Sequence, residues 1–355
     1  MKIELGITTF GETTKLTTTG KPISHPERIR NIIEEIELAD KVGLDVYGIG
    51  EHHRDDFAVS APEIILAGAA TKTKNIKLTT AVTVLSSNDP IRLYQNFATI
   101  DAMSNGRAEI MVGRGSFTES FPLFGYDLNN YEELFEEKLS MLQTINQNEI
   151  LNWQGNLTHS VDNKGVYPRI ANQNQLPIWV ATGGNPISIV NIAQRELPIV
   201  FATIGGDPLR FKNLVDIYRR AWKSFGNDFK KMKIAAHSWG WIEEDHNSAI
   251  DNYFLPTKQL VDSIAKTRPH WREMTREQYN YEVSLNGAIF AGNPEYVAQK
   301  IIRIMEGLEL DRFMLHIPVG SMPHKKTLKA IELFGTKVAP IVRKHFENIT
   351  FKREI

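Results

Sequence analysis

Two adjacent imidazoles lie between a carboxylate and a guanidinium in the run Glu51-His52-His53-Arg54. Histidine ordinarily titrates close to neutrality, so this combination suits proton transfer. The run directly follows the hydrophobic residues 44–47, and the carboxyl end of a buried strand is where α/β enzymes place their chemistry. A polar loop after a strand is also commonly no more than a solvated loop. The run by itself leaves both readings open.

A second stretch, Thr182-Gly183-Gly184-Asn185-Pro186-Ile187-Ser188, follows the apolar residues 178–181 and opens a helix. Two glycines let the backbone turn tightly, and the start of a helix directs unpaired N–H groups and partial positive charge into the turn. That arrangement holds a phosphate monoester without a basic patch, and Ser188 adds a hydroxyl donor. An ordinary glycine turn between strand and helix is written with the same letters. Arg114 stands between Gly113 and Gly115 and is followed by Ser116, so it brings a cation and a fork of donors close to a ligand or else stands in solvent. Gly205-Gly206-Asp207-Pro208 reads as a helix-capping turn, and His237, inside a strand pattern, as a buried and hydrogen-bonded histidine.

Composition narrows the field. The 355 residues include 41 basic and 42 acidic side chains, a net charge of -1, so no polyanion-binding surface is indicated and nucleic acid is not an expected partner. The absence of cysteine removes disulfides, thiolate metal sites and cysteine nucleophiles together. No metal is expected, because Glu51-His52-His53 lacks the His-Glu-x-x-His spacing that puts two ligands on one helical face. Neither a Gly-x-Ser-x-Gly elbow nor a Walker loop is present, which weakens hydrolase and NTPase readings. No window offers the ~20 apolar residues that span a bilayer, and the N-terminus has no signal-peptide pattern. A cytoplasmic location away from membranes is the expectation.

The elements that must position these residues repeat. Residues 3–8 alternate as a strand, and Ser24 with Glu27 starts a helix whose apolar residues recur at helical spacing up to Gly43. Residues 44–48 and 76–85 read as strands with a helix over 61–72 between them. Asp89-Pro90, Asn185-Pro186, Asp207-Pro208 and Asn293-Pro294 each pair a capping side chain with proline at the first helical position, and three of the four follow probable strands. Strands near residues 3, 45, 77, 108, 178, 199, 235 and 312 make eight alternating units, which predicts a (β/α)8 TIM barrel rather than an open doubly wound sheet. The whole chain, residues 1–355, reads as one such domain, with insertions near 151–169 and 252–286 that are long enough to cover a site or to pack as helices.

The assembled motifs resemble those of the bacterial luciferase-like family of flavin-dependent monooxygenases. Glu51-His52-His53, Ala81-Val82-Thr83-Val84-Leu85 leading to Asp89-Pro90-Ile91-Arg92, Met103-Ser104-Asn105-Gly106-Arg107, Gly113-Arg114-Gly115, Gly183-Gly184-Asn185-Pro186 and Gly292-Asn293-Pro294-Glu295 occur in the family's order over roughly residues 3–345. The resemblance implies a luciferase-like barrel that binds FMN at its carboxyl face. His52 matches the catalytic-site histidine, and its near-neutral titration would suit one proton transfer. Ala81 and Val82 match a bulge on strand three, often a non-proline cis peptide, on which the flavin ring rests. Arg114 and Ser116 match positions near the flavin, while Thr182, Gly183, Gly184, Asn185 and Ser188 fall in the phosphate-binding loop after strand five. Light-emitting members carry a reactive thiol immediately before the matched arginine, where this chain has Gly113, so the resemblance is to the non-luminous, alkanal monooxygenase-like branch.

The function so implied is an FMN-dependent monooxygenase that uses reduced flavin and molecular oxygen on a small organic substrate. Such chemistry requires a dry pocket and a fixed ring. A separate flavin reductase and a homodimer are the implied partners. A deazaflavin-dependent hydride-transfer enzyme of the same fold, or a flavin-binding protein without turnover, are the alternatives.

Overall fold

The computed structural model describes residues 2–115, 117–170, 175–266 and 271–351. Eight parallel strands follow one another round a barrel: β1 Glu4–Thr9, β2 Val46–Ile49, β3 Lys77–Thr80, β4 Ile110–Gly113, β5 Ile178–Thr182, β6 Ile199–Ala202, β7 Ile234–Ile242 and β8 Arg312–His316. The ring returns on itself where β1 pairs with β8, Thr8 lying opposite His316. β3 breaks at Ala81 and Val82 and resumes as Thr83–Val84, and this second piece pairs with β4. Between β3 and β4 themselves the seam is thin. It consists of a bridge from Leu78 to Ala108 and of Thr80 Oγ1, which donates to the Met111 carbonyl at 2.8 Å and accepts from the Met111 amide at 3.2 Å. This is the predicted TIM-barrel order, with its eight units at the predicted places.

The Asx-Pro pairs act as their chemistry dictates. Asp89, Asn185, Asp207 and Asn293 each accept an amide hydrogen of the following turn, at 2.8, 2.9, 2.9 and 3.0 Å respectively. Proline then occupies the first helical position, where no N–H is required. Each helix therefore starts at a fixed point above its strand, and the loops at the carboxyl ends of the strands are held at both margins.

Side chains alternate along each strand, so the barrel interior is layered. At the amino end the fully buried Arg312 pairs with Glu4 at 2.6 Å and Glu109 at 2.7 Å, and Lys77 pairs with the same two carboxylates. The Arg312 guanidinium also lies over the Trp179 ring, 4.3 Å from its centre. Above this ionic layer Val46, Met111, Trp179, Val200, Ala235 and Met314 pack as one apolar cluster. Thr8, His237 and His316 form the next layer, buried beneath the carboxyl-end mouth. Outward-facing residues such as Ile7, Tyr47, Leu78 and Phe313 join the larger core shared with the helices. Full burial of each such side chain contributes about 1.5–3 kcal/mol.

Both predicted excursions are ordered where described. Ile150–Trp153 and Val161–Gly165 form an antiparallel hairpin, followed by a cis Tyr167–Pro168 bond. Residues 252–286 fall mainly in two helices, His246–Ala265 and Arg276–Val283. Neither the two hairpin strands nor a ninth parallel strand beside the barrel was foreseen. The nine-residue β7 serves the barrel with its first part, while Trp239–Ile242 pairs with an added strand, Ile289–Gly292.

Candidate functional site

The loop after β2 is built round Glu51. Its buried carboxylate accepts the Val84 amide at 2.9 Å, the Asn88 side-chain amide at 3.0 and 3.1 Å, and contacts His53 Nε2 at 2.8 Å. The Glu51 amide in turn donates to the Val82 carbonyl at 3.2 Å. Glu51 and His53 are therefore structural ties between the ends of β2 and β3. The peptide bond Ala81–Val82 is cis, as the resemblance implied. Two glycines make room for these residues: a Cβ on Gly48 would lie 2.9 Å from Ala81 Cβ, and one on Gly113 would lie 2.9 Å from Val82 Cγ2.

His52 points away from this network. Its ring packs against Phe57 at 4.3 Å, Phe10 at 4.9 Å and Phe117 at 5.2 Å between centroids. Its Nε2 is buried without a hydrogen-bond partner. Burial, with His316 as the second cause, pushes its pKa down to about 3. The expectation of near-neutral titration is thus corrected: aromatic enclosure removes the solvation that a cationic ring needs, so the imidazole is neutral at physiological pH. His52 also lines a small cavity with Glu51, His53, Val84, Phe117 and Ser120. The Ser120 hydroxyl, like His52 Nε2, has no partner.

A second polar chain runs through the interior layer below. His237 Nε2 lies 2.8 Å from Thr8 Oγ1, which lies 3.1 Å from His316 Nδ1, and His316 Nε2 lies 2.8 Å from Glu12 Oε1. Phe10 joins the two halves, its ring 4.2 Å from His316 and 4.9 Å from His52. His237 is the buried, hydrogen-bonded histidine that its strand pattern suggested, held down to about 3 by burial and then by His316. Thr8, Phe10, Glu12 and His316 were missed from sequence. His316 is the last residue of the last strand, and the rule that barrel sites sit at the carboxyl ends of strands was the available signal.

The remaining predicted residues divide. Arg114 does not project freely into the mouth. It pairs with Glu132 at 2.7 Å and Glu136 at 3.4 Å, and lies 4.5 Å over the Phe135 ring, all on the helix Tyr131–Gln147. Ser116 lies outside the described residues. In the turn after β5, Gly184 adopts φ +113, and a Cβ on Gly183 would meet nothing within 4 Å. The amides there are not unpaired as expected: Thr182 Oγ1 accepts from Gly184 at 3.2 Å, and Asn185 Oδ1 from Ile187 at 2.9 Å and Ser188 at 3.4 Å. Ser188 is buried in the first turn. Gly206 donates to Glu282 at 2.9 Å while Asp207 pairs with Arg303 at 2.9 Å, so that glycine pair is a tied capping turn.

His52, Ala81, Val82, Arg114 and residues 182–185 all lie at or just beyond the carboxyl ends of their strands, on one face of the barrel. Among the described residues no group of three or more His, Asp or Glu is placed to hold a metal ion, and no helix is long and apolar enough to cross a membrane.

A family model described as luciferase-like monooxygenase matches residues 3–311. The chain is 26% identical to uncharacterized protein y4vJ of Sinorhizobium fredii, over 89% of this chain and 92% of that one. It is 24% identical to the alkanal monooxygenase alpha chain of Photobacterium leiognathi, over 89% and 94%. Among solved structures, monooxygenase RslO1 from Streptomyces bottropensis superposes with a TM-score of 0.83 at 20% identity, covering 95% of this chain and 99% of that one. The oxygenating constituent of 3,6-diketocamphane monooxygenase from Pseudomonas putida, in complex with FMN, gives 0.75 at 18% identity over 96% and 99%. An F420-dependent secondary alcohol dehydrogenase gives 0.77 at 19% identity over 97% and 100%.

Proposed function

This chain belongs to the luciferase-like monooxygenase family, and we propose that it uses reduced FMN and molecular oxygen to monooxygenate a small organic substrate. The observation that carries the reading is the convergence on one barrel face of the Ala81–Val82 step, cleared by Gly48 and Gly113, with the Gly183–Gly184 turn and the unpartnered Nε2 of His52. These features fit a flat ring with a phosphate tail. Open space beside Gly183 suits the phosphate, and a bare buried nitrogen suits a polar edge or reacting group. When bound, reduced flavin supplies two electrons to oxygen, so that one oxygen atom enters the substrate and the other leaves as water.

In this reading Ala81 and Val82 support the ring, and residues 182–185 with Ser188 hold the phosphate. Phe10, Phe57 and Phe117 exclude water from His52, whose neutral imidazole leaves Nε2 open to a hydrogen bond with a bound ligand. Arg114, fixed on the helix Tyr131–Gln147, contributes its field from the edge. The chain works as a homodimer in the cytoplasm and receives its reduced flavin from a separate reductase. A structural relative described as an oxygenating constituent supports that division of labour.

Anaerobic titration with reduced FMN, followed by oxygen uptake with candidate substrates, tests the proposal. Tight binding of reduced FMN and substrate-dependent oxygen uptake are expected. Binding of reduced F420, a deazaflavin, with no affinity for FMN would replace the proposal with hydride transfer. FMN binding that leaves its reoxidation unchanged would leave only a flavin carrier.

A further inference from the structure

Glu12 lies just past β1, is 2% exposed, and uses one carboxylate oxygen for His316. The other, Oε2, is buried without a hydrogen-bond partner. A carboxylate oxygen in that state is costly to keep, because it has lost water and gained nothing. The neighbouring buried cation does not relieve it: the Arg28 guanidinium bonds Glu35 at 2.7 Å and Thr9 Oγ1 at 2.9 Å.

The carboxylate is held, not slack. If His237 Nε2 donates to Thr8, then Thr8 donates to His316 Nδ1 and His316 Nε2 donates to Glu12 Oε1. Each of the three contacts then has a donor and an acceptor, and the far oxygen of Glu12 has none. If instead a doubly protonated His316 donates from both nitrogens, Thr8 donates to His237, and Oε2 is still bare. With an ionised carboxylate, both arrangements leave Oε2 in want of a donor. Phe10 lies against both His316 and His52, so the histidine that holds Glu12 packs on the ring that also encloses His52.

We propose that Glu12 is the residue that selects the organic substrate, its Oε2 accepting a hydrogen bond from an N–H or O–H head group, with a protonated amine preferred. Its negative charge turns carboxylates away. Thr8, His316 and His237 are positioning residues that fix the carboxylate. The word substrate rests on the monooxygenase reading, but recognition of the head group does not.

Calorimetric titration of the full chain, with and without FMN, using butylammonium, butan-1-ol and butyrate tests this. On the wild type, butylammonium binds at least tenfold tighter than butyrate, with butan-1-ol between. Glu12→Gln keeps the shape and weakens butylammonium at least tenfold without weakening butyrate. Thr8→Val weakens butylammonium at least threefold, and Thr8→Ser restores it. Butyrate binding as tightly as butylammonium, no binding of butylammonium, or an unchanged butylammonium affinity in Glu12→Gln overturns the proposal. If that variant does not fold, the order of the three probes on the wild type decides. Failure of FMN to bind removes the flavin reading, while the titration without FMN still reports on Glu12.

Discussion

The carboxylate of Glu51 accepts the backbone amide of Val84 across 2.9 Å, which ties the loop after β2 to the chain just beyond Val82. The same carboxylate serves Asn88 and His53. Glu51→Ala takes this acceptor from the Val84 amide and from His53, while Asn88 keeps the Val84 carbonyl at 3.0 Å, and each buried unsatisfied group costs about 1–3 kcal/mol. A loss of at least ~2 kcal/mol is expected in denaturant unfolding, together with weaker FMN binding in a fluorescence titration. A variant as stable as the wild type would show that water replaces the carboxylate without loss.

Gly113 has Val82 directly over it. An added methyl group would overlap the Val82 side chain, and overpacking of this kind costs about 1–3 kcal/mol. Gly113→Ala should therefore melt at lower temperature, and combining it with Val82→Ala should recover part of the loss. No recovery in the double variant would mean that the two residues do not share that space.

The two glycines after β5 are expected to fail differently. Gly184 holds φ +113, so Gly184→Val strains the backbone itself and lowers both stability and FMN affinity. Around Gly183 the added Cβ meets nothing, so Gly183→Val should fold normally and lose FMN affinity alone. Equal FMN affinity in wild type and Gly183→Val would remove the phosphate from this turn.

Neutral His52 predicts its own kinetics. His52→Ala should leave FMN affinity within a few fold and lower turnover by about 10²-fold, the scale of a positioned proton-handling group. Because the ring stays neutral down to about 3, no kinetic pKa near 6.5 should disappear with it. Unchanged turnover would sink its role.

The buried histidines also shape acid stability. His237 ordinarily titrates near 6.5 but is held to about 3 in the fold. Between those values the unfolded chain binds a proton that the folded chain refuses, so stability falls as pH is lowered through that window. The slope contributed by one such group approaches about 1.4 kcal/mol per pH unit. His237→Gln should flatten the dependence of unfolding free energy on pH by roughly that amount. Parallel curves for variant and wild type would contradict a neutral buried ring.

Much of this was legible from short-range chemistry. The Asx-Pro caps and the apolar strands between them are local signals, and they located all eight barrel strands because a cap and a buried strand each act within a few residues. The Gly113 and Gly183 turns were visible for the same reason. Contacts of long sequence separation were not. Glu12 and His316 are 304 residues apart, and nothing in either neighbourhood announces the other. Arg114 looked free because its partners Glu132 and Glu136 lie on the next helix, and the titration of His52 depended on Phe10, Phe57 and Phe117, three rings from three different loops.

Arg312, Glu4 and Glu109 fill the amino end of the barrel with a paired ionic layer, and an apolar cluster packs directly above it. The barrel is therefore a cup with a single rim. Whatever reacts at the other end must arrive and depart by the same doorway, so turnover is a matter of taking turns. A product that lingers blocks the next visitor, and the loops round the rim, rather than the floor, set the pace of exchange.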